Sequence, residues 1–192
     1  AKKTDTLENQ TIGIIGYGAI GKEIAKRAKA FNMNISCVVR NIDKYKSNKY
    51  INFLSIKNIK KDINKFDYLI IACPLNDETK NLINFNLMKN MNKNSVIINI
   101  ARGPIINEAD LYKVLKNKLI RAAVIDVWYN YPKNSVTKKL YPSKYPLHKL
   151  DNITFSPHSS AWSSQLWDRR FKFVCENLEN LYNNKRIKNV VS

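Results

Sequence analysis

Short apolar runs alternate with amphipathic stretches along this chain. "TIGIIG" (11–16), "NISCVVR" (34–40), "DYLIIAC" (67–73), "NSVIINI" (94–100), "RAAVIDVW" (121–128) and "NITFS" (152–156) are rich in β-branched residues and read as strands. They are nearly continuous rather than alternating, the pattern of strands covered on both faces. "AIGKEIAKRAKAF" (19–31) sets Ile20, Ile24, Ala28 and Phe31 near one helical face. "NEADLYKVLKNK" (107–118) reads as a helix with Asn107 as N-cap and acidic residues in its first turn. A short helix is expected around 56–61, and "SAWSSQLWDRRFKFVCENLENLYNN" (160–184) reads as a long closing helix. Strands separated by helices imply right-handed crossovers and an α/β fold, a doubly wound parallel sheet with helices on both faces. Residues 41–55 are expected to loop over the surface. Residues 129–150 hold three prolines and no clear period, as in a functional or interface loop. No repeat or linker divides residues 1–192, so a single domain is expected.

The first strand runs into "GYGAIG", a G-x-G-x-x-G whose glycines are Gly16, Gly18 and Gly21. Between a strand and a helix these spacings suit a dinucleotide. Gly16 permits the tight turn, Gly18 lets the backbone approach a pyrophosphate, and Gly21 allows close helix–strand packing. The helix N-terminus adds N–H donors and a positive dipole end. The fold then becomes Rossmann-type. The second strand ends in Val39, Arg40 and Asn41, with no carboxylate for the adenosine ribose. Arg40, helped by Asn41 and Lys44, suits a 2′-phosphate, which favours NADP(H) over NAD(H).

Charge alters this picture less than its size suggests. Of 192 residues, 33 are Lys or Arg and 15 Asp or Glu, a net charge of +18. The basic residues are scattered, with no aromatic–basic alternation, so nucleic acid is not expected as a partner and an attractive field for anionic cofactors and substrates is the better reading. Cys37, Cys73 and Cys175 lack metal-ligand spacing and read as buried reduced thiols of a cytosol-like compartment; no metal is expected. No apolar run is long enough to span a bilayer, so a cytoplasmic protein without membrane attachment is expected.

Two residues fall where ligands bind in doubly wound sheets, at the carboxyl ends of strands. Arg102 follows the fourth strand, and a guanidinium there clamps a carboxylate and polarises a carbonyl. His158, in "SPH", ends the last strand and suits general acid/base work.

With these residues in view, the chain resembles the cofactor-binding domain of the D-isomer-specific 2-hydroxyacid dehydrogenases. The resemblance rests on "GYGAIG", "ACPLNDETKNLIN" (72–84), "INIARGPIINEADL" (98–111), "AAVIDVW" (122–128) and "SPHSSAW" (156–162), in that order from about Leu7 to Val191. It implies hydride transfer between a nicotinamide and a small 2-keto or D-2-hydroxy acid in the glyoxylate and hydroxypyruvate range. Arg102 would bind the substrate's carboxylate and carbonyl, and His158 would move its proton. The loop of Gly16, Gly18, Ala19, Ile20 and Gly21 would carry the pyrophosphate. Cys73 and Pro74 would border the adenosine half, Ala101 and Asp126 the nicotinamide half. Pairing of cofactor domains into a homodimer is implied too, with 135–150 reaching across the interface.

The chain departs from the family pattern at three places. Tyr131 stands where a Glu usually orients the histidine. A phenol supplies no negative charge at neutral pH, so His158 is expected to protonate less readily and carbonyl reduction to be weaker or acid-shifted. Ala19 replaces a frequent Arg. Only about fifteen residues precede the glycine loop, where whole enzymes of the family carry a substrate domain; a fragment is expected. The alternative function is a cofactor-sensing, corepressor-like interaction protein on the same fold, which the missing Glu favours and the pair Arg102 and His158 disfavours.

Overall fold

A computed structural model describes residues 6–132 and 140–190. It divides into two compact units, 1–158 and 159–192. The first is built on seven parallel strands: β1 (Thr11–Ile15), β2 (Asn34–Val39), β3 (Ile51–Ser55), β4 (Tyr68–Ile71), β5 (Val96–Asn99), β6 (Ala122–Ile125) and β7 (Ile153–Phe155). Their order is β3-β2-β1-β4-β5-β6-β7. The doubly wound Rossmann-type sheet expected from the sequence is present. Its topological switch point lies between β1 and β4.

Continuous apolar strands feed two separate cores, because successive side chains point to opposite faces. Ile14, Cys37 and Val39 pack on one face with Ala25, Ala28 and Phe53. Ile15, Val38, Leu69, Ile71 and Ile97 pack on the other, with Leu111, Val114 and Leu115. Helix α1 (Ala19–Ala30) covers the first face, but not as its large apolar residues suggest. Its buried residues are Gly21, Ala25 and Ala28, while Ile20 and Phe31 are 56% and 57% exposed. Ile24 packs against this core half-buried, and the fully buried positions are left to small residues.

Strand β3 corrects the surface loop expected over 41–55. It pairs in parallel with β2, Cys37 opposite Phe53 and Val39 opposite Ser55. The crossover from β3 to β4 is made of 3-10 turns, Ile56–Lys61 and Ile63–Lys65, rather than an α-helix. Between β4 and β5 lies the single-turn α2 (Phe85–Met88). Helix α3 (Glu108–Lys116) starts as read: the Asn107 side chain accepts the Asp110 N–H at 3.1 Å.

The second unit is α4 (Leu166–Tyr182) and its flanks, beginning later than the predicted 160. Asn177 accepts the Lys188 N–H at 2.9 Å and fastens the tail to the helix. Of the segment expected to reach across a dimer interface, residues 135–139 lie outside the described residues.

The cysteines differ among themselves, against the expectation of three buried thiols. Cys37 is buried, Cys73 half-buried and Cys175 exposed. Burial pushes the Cys37 thiol up to about 12 and raises that of Cys73. We expect a thiol reagent to label Cys175 in the native chain and Cys37 only on unfolding, read by mass spectrometry against time. The folded state holds the Cys37 proton more tightly than the unfolded state does. Its contribution to stability is therefore full below about 9 and is lost as pH rises toward about 12.

Candidate dinucleotide and catalytic site

The turn after β1 is set by its glycines, two of them for reasons internal to the protein. Gly16 has φ +97°, and its N–H donates to the Val38 carbonyl at 2.9 Å. A Cβ there would meet the Ala72 carbonyl oxygen at 2.9 Å. At Gly21 a Cβ would run into the Gly16 carbonyl oxygen, which holds α1 against the turn. Gly18 is different. Its backbone is extended, and nothing lies within 4 Å of where its Cβ would be. The fold itself does not demand glycine there.

The first N–H groups of a helix lack intrahelical acceptors. At α1 no side chain caps them and no acidic residue stands in the first turn. This end of the helix is fitted to an anion supplied from outside.

Beside it a cavity of about 430 Å³ opens at the switch point. It is lined from β1 by Gly16, Tyr17 and Gly18, from beyond β2 by Arg40, Asn41 and Lys44, and from beyond β4 by Cys73, Pro74 and Glu78. The residues read for the adenosine half are thus brought together. Ala19, Ile20 and Gly21 do not line this cavity. Another cavity, of about 450 Å³, lies at the opposite, amino ends of β2 and β3. Ligands of open α/β sheets bind at carboxyl ends, so the first is the candidate site.

Sequence reading missed three contributors. Tyr17 packs edge-on against Phe53 at 5.0 Å, and Tyr45 stacks on Phe53 at 4.8 Å, which draws the segment after β2 against the sheet. Glu78 pairs with Arg40 at 3.2 Å. The two residues are 38 apart in sequence, and only the order β2-β1-β4 makes them neighbours.

A second cluster forms at the carboxyl ends of β5, β6 and β7. Asn99 shapes the Arg102 turn: its side chain accepts the Ala101 N–H at 3.0 Å and donates to the Arg102 carbonyl at 2.9 Å. The Arg102 guanidinium donates to the Ala101 carbonyl at 2.6 Å. A Cβ at Gly103 would overlap the Trp128 carbonyl oxygen, so this turn packs directly on the segment after β6. Trp128 also reaches β7, donating Nε1–H to the Ser156 carbonyl at 2.8 Å. Asp126 is buried and accepts the Ser156 hydroxyl at 2.5 Å. Tyr131 Oη accepts the Trp128 N–H at 2.8 Å and lies 3.1 Å from His158 Nδ1.

His158 itself has φ +58°. Of the non-glycine residues described with positive φ, the others are asparagines and one lysine. Asparagine tolerates that region through local hydrogen bonding, and strained backbone gathers at functional sites. Ala101, Arg102, Asp126, Tyr131 and His158 do not line the 430 Å³ cavity. They form a neighbouring group joined through Trp128. Among the described residues no cluster of three or more His, Cys, Asp and Glu side chains is placed to hold a metal ion, and no helix is long and apolar enough to cross a membrane.

A glycine turn, an uncapped helix end and a cavity at the switch point of a parallel sheet define a dinucleotide-binding α/β domain. Comparison with known proteins gives its family. The family model described as "D-isomer specific 2-hydroxyacid dehydrogenase, NAD binding domain" matches residues 1–160, and the chain belongs to that family. It is similar to a glyoxylate reductase of Pyrococcus horikoshii, 37% identical over 169 residues, covering 88% of this chain and 47% of the relative. It is also similar to a D-3-phosphoglycerate dehydrogenase of Methanocaldococcus jannaschii, 33% identical over 190 residues, covering 97% of this chain and 34% of the relative. The chain thus spans between a third and a half of these relatives' lengths. Among solved structures, an acyclic imino acid reductase in complex with NADPH and D-Arg matches with TM-score 0.78 at 27% identity, over 97% of this chain and 55% of that one. An NADPH-dependent glyoxylate/hydroxypyruvate reductase of Sinorhizobium meliloti, in complex with NADP and sulfate, matches with TM-score 0.82 at 19% identity, over 100% of this chain and 58% of the other, a likeness of fold.

Proposed function

We propose that this chain binds NAD(P)(H) at the β1–β4 switch point and serves hydride exchange between the nicotinamide and a small 2-keto or D-2-hydroxy acid of the glyoxylate and hydroxypyruvate range. One observation carries the reading. Gly18 stands open beside the 430 Å³ cavity, at an uncapped helix end, where the fold has no need of glycine. The activities of its relatives, glyoxylate reductase and D-3-phosphoglycerate dehydrogenase, support the reaction class.

When bound, the nicotinamide supplies or takes up the hydride. The protein's part is the rest. The α1 N–H groups take the pyrophosphate. Arg40, Asn41 and Lys44 face the adenosine end, where the guanidinium favours a 2′-phosphate and hence NADP(H). Arg102 clamps the substrate's carboxylate and polarises its carbonyl. His158 moves the hydroxyl proton. Asp126, held by Ser156, borders the nicotinamide side and keeps that turn in place. Reduced thiols, a cytoplasmic location and pairing of two copies through this domain complete the reading.

Titration with NADPH and NADH, followed by ligand fluorescence or calorimetry at moderate salt, tests it. We expect both to bind and Arg40→Ala to weaken NADPH selectively, by about tenfold, the weight of a charge-assisted hydrogen bond to phosphate. A folded chain that binds neither dinucleotide refutes the reading.

A further inference from the structure

We infer that Glu78 is a specificity residue of the dinucleotide site, supplying from the β4 side the carboxylate that the end of β2 lacks. The inference rests on the cofactor reading above and adds a residue to it. Glu78 and Arg40 approach from opposite sides of β1, Oε2 to Nη1 at 3.2 Å, and both line the same cavity. The Arg40 guanidinium is therefore engaged with a carboxylate at the place where a 2′-phosphate would sit.

Local hydrogen bonds fix the turn that carries Glu78. The Thr79 hydroxyl donates to the Pro74 carbonyl at 2.7 Å and accepts the Asn76 N–H at 2.8 Å. The Thr79 N–H donates to Asn76 Oδ1 at 3.0 Å. The turn is thus closed on itself from both ends, and Glu78 projects from it toward Arg40.

Two consequences follow for the adenosine ribose. A 2′-phosphate that engages Arg40 must displace Glu78 or lie beside it, and two anions sharing one guanidinium repel. A ribose bearing a free 2′-hydroxyl meets no such repulsion, and a carboxylate is the acceptor that hydroxyl needs. Glu78 therefore opposes the advantage that Arg40 gives NADP(H) and assists NAD(H). With the pair intact, the two cofactors bind with affinities closer together than Arg40 alone would set. The groups are solvent-exposed, so the effect is moderate.

The test is titration of NADPH and NADH against the chain and its Glu78→Gln and Arg40→Ala variants, with thermal melting as the control for folding. Both side chains are exposed, so neither change should disturb the fold. We expect Glu78→Gln to move the NADPH-to-NADH affinity ratio about fivefold toward NADPH, the scale of an exposed charge pair. The shift should shrink as salt is raised. In the Arg40→Ala background, Glu78→Gln should still weaken NADH, because a neutral amide oxygen accepts from the ribose hydroxyl more weakly than a carboxylate does. An unchanged ratio on Glu78→Gln, with both cofactors binding, overturns this inference and leaves the dinucleotide site standing. No binding of either cofactor to the folded chain overturns both.

Discussion

Gly21→Ala is expected to lower thermal stability sharply, while Gly18→Ala, three residues earlier, leaves it nearly unchanged and removes most of the dinucleotide affinity. The difference lies in what each missing Cβ would meet. At Gly21 it is the Gly16 carbonyl oxygen, fixed in turn by a φ of +97° and by a hydrogen bond from the Gly16 N–H to Val38. Backbone on both sides cannot yield, so α1 must lift from the turn. Overpacking of this kind costs about 3 kcal/mol, or roughly 10 °C in a domain of this size. At Gly18 the Cβ enters open space, and the extended backbone accepts any residue. The loss of stability there is under about 1 kcal/mol. Yet on the proposed function the methyl would stand where the pyrophosphate approaches the helix end, and we expect a tenfold or greater loss of NADPH and NADH affinity, the weight of about one charge-assisted hydrogen bond. Melting curves and titrations of the two variants separate these effects. Equal destabilisation by both would mean that Gly18 is structural, and the argument from its open space would fail.

That contrast also marks what the sequence makes legible. The turn role of Gly16 and the packing role of Gly21 follow from the motif's place between strand and helix, and both hold. The face of α1 follows only in part. Hydrophobicity points to Ile20, Ile24, Ala28 and Phe31; Ala28 is buried and Ile24 packs half-buried on the core, but Ile20 and Phe31 are exposed and Gly21 and Ala25 take the remaining buried places. Strand β3 escapes for a related reason. It is an edge strand whose one buried side chain is Phe53, so "INFLS" lacks the apolar run that announces a strand covered on both faces. Its existence depends on pairing with β2 and on Tyr45 and Tyr17 packing against Phe53.

The site divides in the same way. Residues at the carboxyl ends of strands, Arg40, Arg102 and His158 among them, are predictable once the strands are placed, because the sheet fixes where its edge lies. Partnerships between ends are not. Arg40 reads as a free cation until strand order brings Glu78 to it. The positive φ of His158 and the tie from Arg102's turn to Trp128 through Gly103 are likewise products of packing between segments distant in sequence.

The Tyr131–His158 pair yields the other large effect. The phenol oxygen already accepts the Trp128 N–H at 2.8 Å. The hydroxyl lies 3.1 Å from His158 Nδ1, and we expect its own proton to be directed there. In neutral His158 this makes Nδ1 the acceptor and leaves the proton on Nε2. An imidazole so arranged has no lone pair on Nε2 with which to take a proton from a hydroxy acid. After giving a proton to a keto acid from the imidazolium, it must keep one on Nδ1, facing a phenol that has to turn away. In that tautomer, and on the proposed function, Tyr131 is expected to hinder proton transfer in both directions. A carboxylate would accept from Nδ1–H and from the Trp128 N–H together, holding the opposite tautomer and stabilising the imidazolium. We expect nitrogen-15 spectra of Tyr131→Glu to show Nδ1–H where the native chain shows Nε2–H, with Tyr131→Phe between them. The chain has two histidines, so a His148→Gln spectrum assigns the signals. On the proposed function, turnover of 2-keto acids near neutral pH should rise about tenfold in Tyr131→Glu, in keeping with the weight of one well-placed proton-transfer partner, and hydroxy acid oxidation should rise with it. If the native chain already holds Nδ1–H, or if the Glu variant is no faster in either direction, the phenol is not the brake that its hydrogen bonds describe.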